Sequence, residues 1–324
     1  MLDWLFPRRK PSEQRSVVRG EEAEVEPIEL RVAVVIHDPL LERFGGRRLH
    51  ETFNWHDPDL LLQHYIADLR MASGGIARYT VVERHLVDAY PQKLDGFRYD
   101  DERYMRCWRR GSGFHQPDAV DYQQLLDEFD LVRKVVQGEI DEVWLFAFPF
   151  AGYYESHMVG SGAIWCNSPP LLARSDCTRR FVIMGFNYER DVGCMLENFA
   201  HRVESIMAHV YRHQHGEANL WERFIRYDQS HPGSAECGNV HFAPNSTHDY
   251  DWGNPRPVVA RADTWYRFPD LSGPPRQLRA DEWGGGDMRL HHLWWLDHLP
   301  RVPGATHGIL HNWWRYVLRP DVEL

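Results

Sequence analysis

The 324-residue chain has no uninterrupted stretch of roughly 18 apolar residues, so its sequence predicts no membrane-inserted helix. The N-terminus, Met1-Leu2-Asp3-Trp4-Leu5-Phe6-Pro7, turns charged at once and contains no secretory apolar region. On residues alone the expected compartment is cytoplasmic by default. Its five cysteines have no CxxC spacing, which argues against a cysteine zinc site or a thioredoxin-like motif. Cys166 and Cys177 bracket a proline-containing loop and are placed to pair; an odd total leaves at least one thiol free. Basic residues are in deficit: 37 Lys and Arg against 47 Asp and Glu, a net charge of −10. The only basic cluster, Arg8-Arg9-Lys10, is too short to neutralise a run of phosphates, so nucleic acid is not an expected partner. No GxSxG elbow surrounds a serine, Ser156-His157 included, and Gly284-Gly285-Gly286 lacks the following Lys-Ser of a phosphate loop. Internal repeats are also missing.

What the chain has in quantity is tryptophan, thirteen in all, many of them after residue 250 among Gly, Pro and His. Trp gives a large contact area with a polar handle, which suits both core packing and a sugar-binding surface. Residues 1–28, rich in Arg, Glu, Ser and Pro, read as a mobile tail. Order is expected from Leu30, where Leu30–Ile36 is the near-continuous apolar run of a strand buried on both faces. A helix opens with Asp57 as cap and Pro58 at its first position, and stops at Gly74-Gly75. Strands follow at Arg78–Val82, Asp141–Phe146 and Arg180–Gly185, with a helix over Tyr122–Gln137 before the second of them. The stretch Tyr90–Asp118 and the loop Pro149–Thr178 read as irregular. The fold class is therefore α/β: a small, mostly parallel or mixed sheet with packed helices over 29–216. An irregular Trp-, His- and Pro-rich subdomain is expected over 217–324.

The segment from Asn187 to His213 carries the clearest helical signal. Val192, Met195, Leu196, Phe199, Val203, Ile206, Met207 and Val210 form one apolar stripe. At about 100° per residue, Glu197, His201 and Glu204 lie roughly 140°, 180° and 120° from its centre, together on the opposite face. Such a face is what any amphipathic surface helix shows. Equally, imidazole and carboxylate one turn apart suit zinc or another divalent ion. His241, on the strand-like run Cys237–Phe242, is a candidate third ligand, with Glu204 as candidate base. The cluster His248-Asp249-Tyr250-Asp251 reads as a turn, or as oxygen donors for a cation. A second constellation is carboxylate-based. Glu155 follows one strand and Glu189 another, and acids at strand carboxyl ends can cleave glycosides, with Tyr153, Tyr154, Trp165 and Tyr188 as a sugar platform.

The segments DEVWLFAFPFAGYYES (141–156), WCNSPPL (165–171), RRFVIMGFNYERDVGCMLENFAHRVESIM (179–207) and CGNVHFAPN (237–245) together resemble an uncharacterised bacterial protein family. That resemblance implies an extracytoplasmic setting and no stated reaction. Separately, LENFAHRVES (196–205) is similar to the active-site helix of zincin metallopeptidases, whose signature is HExxH. Set on that pattern, Glu197 takes the place of the first His and His201 matches the second, while Asn198 stands where the base Glu belongs. The zincin likeness implies a metal-dependent hydrolase of peptides or amides, with Glu197, His201 and His241 as ligands. The alternatives are a carbohydrate-active enzyme using Glu155 and a second acid, and a non-catalytic glycan- or peptide-binding protein.

Overall fold

The computed structural model describes residues 25–171 and 177–324; of the tail expected at 1–28, residues 1–24 lie outside the described residues, and the first strand already begins at Ile28. Its centre is a five-stranded sheet of β1 (Ile28–His37), β2 (Ala77–Val87), β3 (Glu142–Ala147), β4 (Ser156–Val159) and β5 (Phe181–Asn187), in the order β2-β1-β3-β5-β4. β1, β2, β3 and β5 run parallel, and β4 closes the edge antiparallel to β5. The α/β class is as expected. Val32–Ile36 is fully buried because β1 has a neighbour on each side and helices on both faces. β2 is longer than the sequence suggested, because its pairing continues until His37 meets Val87. β4 falls inside the expected loop; four buried residues are too few to show a period.

One face of the sheet is covered by α1 (Pro58–Ala72), whose Asp57 side chain accepts from the Asp59 and Leu60 amides. Between β2 and β3 lie α2 (Asp101–Arg110), α3 (Tyr122–Glu128) and α4 (Leu131–Val136). α2 corrects the irregular reading of 90–118: its Arg- and Glu-rich surface hides the buried trio Tyr104, Met105 and Cys107. The single helix expected over 122–137 is broken at Asp130, which sits in the left-handed region at φ 55°. α3 and α4 pack on the opposite sheet face, against Val35, Val143 and Ile183.

The strongest helix, α5 (Val192–Val210), is shorter than expected at both ends. It is capped by Asp191, whose carboxylate accepts the Gly193 amide. Its apolar stripe joins the same core as α1. The last third is less irregular than its composition suggested. α6 (Met288–Asp297) and α7 (Trp313–Leu318) both pack on α5. Trp265, Trp283, Trp295, Trp313 and Trp314 are at most 1 % exposed and share that core.

Arg202 ties these layers together. Fully buried, it donates to both oxygens of Glu142 on β3, at 2.9 and 2.6 Å, and to the Val317 carbonyl on α7 at 2.5 Å. Trp144 Nε1 also donates to Glu142, at 3.1 Å. No cysteine pair adds to this. No disulfide joins any of the five cysteines, and the expected Cys166–Cys177 bridge is ruled out by position. Cys166 belongs to the core on one sheet face, beside Ser156, and Cys177 to the core on the other.

Two outcomes follow from this architecture. Arg202→Ala strands the Glu142 carboxylate and should cost about 3–5 kcal/mol in urea unfolding, while Arg202→Met with Glu142→Leu recovers most of it. Thiol titration of the unreduced, unfolded chain should count all five cysteines; a count of three would mean that one bridge forms.

Candidate metal centre

The polar face of α5 is covered by the segment 236–252. His241, expected from sequence as a downstream partner, lies directly over it. Its Nε2 is 3.1 Å from His201 Nε2 and 3.3 Å from Glu197 Oε1. His201 Nε2 and Glu197 Oε1 are 4.0 Å apart, one helical turn from each other. Three ligand atoms from Glu197, His201 and His241 thus lie within 4.8 Å of one another, close enough to hold one metal ion. Two nitrogens and one carboxylate oxygen suit zinc and related divalent ions.

Each imidazole is oriented from behind. His201 Nδ1 donates to Glu204 Oε2 at 2.9 Å, and His241 Nδ1 lies 3.0 Å from Asp249 Oδ1. With an ion bound, Nδ1 protons held by these contacts would leave both Nε2 lone pairs facing the common point. The other Glu204 oxygen accepts the Val240 amide at 3.2 Å, which fixes the carboxylate and the covering segment together. Glu204, expected as a base, therefore stands behind His201 with both oxygens engaged. The hydrogen bond from Tyr250 OH to Glu197 Oε1, at 2.9 Å, completes the set. Sequence reading took the cluster 248–251 as a turn or as oxygen donors for a cation, without tying Tyr250 or Asp249 to the helix; the turn itself forms, with Asp251 accepting from Thr247.

Electrostatics follow from this packing. Burial by itself would raise the Glu197 carboxyl, but hydrogen bonds with His241 and Tyr250 hold it below its ordinary value. Burial likewise opposes charge on His201, and the Glu204 hydrogen bond with the charges of Glu204 and Glu155 more than offsets it, leaving its pKa raised. The hydrogen bond to Glu197 is the main cause that raises His241.

A cavity of about 340 Å³ opens beside the centre, at the carboxyl ends of β3 and β5, and Glu197, Tyr250, Glu155, Arg190, Asn198 and Phe150 contribute to its lining. Ligand sites in parallel sheets gather at this end. Glu155 faces this cavity, where burial first and repulsion from Glu197 second raise its carboxyl pKa. An Asn167 amide donates to it. Glu189, the other acid considered for glycoside cleavage, precedes α5 and is not part of the lining. Asn198 donates to the Gly185 carbonyl of β5 at 2.7 Å, so the residue standing at the zincin base position is a tie between helix and sheet. His37 is held under Tyr153 at 2.7 Å, and burial, with the Arg98 charge, lowers its pKa to about 3.

No family model matches the chain, and no curated protein matches it significantly. No helix among the described residues is long and apolar enough to cross a membrane.

Gly185 positions Glu155. A Cβ there would lie 2.2 Å from the Tyr154 carbonyl oxygen, since the segment 153–155 runs tight against β5 and Gly185 N donates to Glu155 O at 3.0 Å. Gly185→Ala should cost about 1–3 kcal/mol by chemical denaturation, through a backbone shift of that segment. A neutral result would mean that the segment yields freely.

Proposed function

We propose that this protein is a metal-dependent hydrolase of peptide or amide bonds, as the zincin-like helix suggested, with zinc as the first candidate ion. The observation that carries the reading is the convergence of Glu197 Oε1, His201 Nε2 and His241 Nε2 beside a cavity that also holds an acid. Three protein ligands with room for a fourth partner are what a catalytic rather than a structural centre needs. A bound divalent ion supplies Lewis-acid polarisation of a carbonyl and acidification of water.

The chain's own residues divide the remaining work. Glu197, His201 and His241 hold the ion, while Glu204 and Asp249 orient the two imidazoles. Glu155, on the cavity wall, takes the base role that sequence reading had given to Glu204. Its raised pKa suits accepting a proton and returning it to the leaving amine. Arg190 is the one cationic side chain in the cavity lining among the described residues and offers a partner for a substrate carboxylate. The glycosidase alternative would pair Glu155 with Glu197, but Glu197 is engaged by His241 and Tyr250. The aromatic residues of the last third, mostly core, give a glycan-binding reading little surface.

Zinc titration should show one ion per chain and a gain of about 2.7 kcal/mol in stability at a hundredfold excess over Kd. His201→Ala and His241→Ala should abolish both, and Glu204→Gln or Asp249→Asn should weaken affinity about 10- to 100-fold. Glu155→Gln should keep zinc and lose turnover of a peptide library. Wild-type protein that binds no zinc, manganese, cobalt or nickel stoichiometrically disproves the reading.

A further inference from the structure

The hydroxyl of Tyr250 lies among the ligand atoms themselves. It is 2.9 Å from Glu197 Oε1 and 3.1 Å from His241 Nε2. With the 3.1, 3.3 and 4.0 Å separations among Glu197, His201 and His241, these distances scatter around one value. That value is about 3.3 Å, the edge of a tetrahedron whose corners each lie ~2.0–2.1 Å from a central zinc. Three corners are the assigned ligands. Five of the six edges are among these distances, and the corner left over falls to the phenol oxygen.

We propose that Tyr250 is a displaceable fourth ligand, which closes the metal centre at rest and yields its position to substrate; this rests on the hydrolase reading above. Three features separate Tyr250 from its fixed companions. Glu197 and His201 project from a long buried helix, whereas Tyr250 sits on the short turn 247–252 and is 47 % exposed. Its backbone is in the left-handed region at φ 59°, a strained setting for a bulky non-glycine residue. It also contributes to the wall of the cavity that Glu197 lines, so a ligand bound there lies beside the ring.

The exchange balances without a further reactant. On metal binding the phenol O–H breaks, the oxygen becomes the fourth donor and the proton leaves to solvent. When a substrate oxygen takes that coordination position, the phenolate departs and regains one proton. The ring then stands over the cavity.

Copper(II) serves as the optical probe on the purified full-length chain, because phenolate coordination to it gives a visible charge-transfer band. Wild type loaded with one equivalent should show that band, and Tyr250→Phe should lose it while still binding one equivalent and keeping the wild-type Tm. Acetohydroxamate, which chelates the metal, should bleach the wild-type band. It should bind zinc-loaded Tyr250→Phe about fivefold tighter than zinc-loaded wild type, since one polar contact of ordinary strength no longer has to be displaced. Stoichiometric copper binding without a Tyr250-dependent band overturns the fourth-ligand proposal and leaves the three-ligand centre standing. A wild-type band that hydroxamate binding does not bleach overturns displacement. Failure of wild type to bind any divalent ion removes both.

Discussion

The rotational setting of α5 is the constraint on which the site depends, and the buried pair of Arg202 and Glu142 fixes it. Two guanidinium nitrogens against two carboxylate oxygens leave the helix little freedom to turn about its axis. Arg202 directly follows His201, so pinning one sets the direction of the other about 100° away. Asn198 adds a second tie, to the β5 carbonyl of Gly185, one turn before Arg202. With both in place the apolar stripe enters the core and Glu197, His201 and Glu204 are directed at the segment that covers them. A buried ion pair of this kind contributes little net stability, and what it specifies here is orientation.

Around the two imidazoles stand Glu197, Glu204, Asp249 and Glu155, an excess of acid over base within a partly buried space. Each of Glu204 and Asp249 holds one ring nitrogen, which leaves the opposite nitrogens as donors toward a common centre. Such an arrangement is complementary to a compact positive charge. The carboxylates behind the histidines are as much a part of that complementarity as the ligands, because they set which nitrogen carries the proton.

Much of this was legible before any coordinates. Leu30–Ile36 announced a strand with cover on both faces, Asp57-Pro58 announced α1, and the stripe from Val192 to Val210 placed Glu197, His201 and Glu204 on one face by period alone. His241 was legible only as a histidine on a short strand-like run, since its approach to His201 spans forty residues of irregular chain. Tyr250 and Asp249 were hidden in a cluster that read as a turn, which it is; their contacts with Glu197 and His241 come from where that turn lands. The contacts of Glu204 were hidden for the same reason. Helical spacing gives the face a side chain shares, and not which of its neighbours already occupies its oxygens. The break at Asp130 and the helix α2 were lost because one left-handed residue and a charged surface both mask a period.

That no disulfide joins the five cysteines gives the fold one more property. No covalent staple joins the layers described above. The fold's integrity is set by burial and by ion pairs such as Arg202–Glu142, so a shift in the surrounding thiol–disulfide poise leaves the architecture around the histidines unchanged.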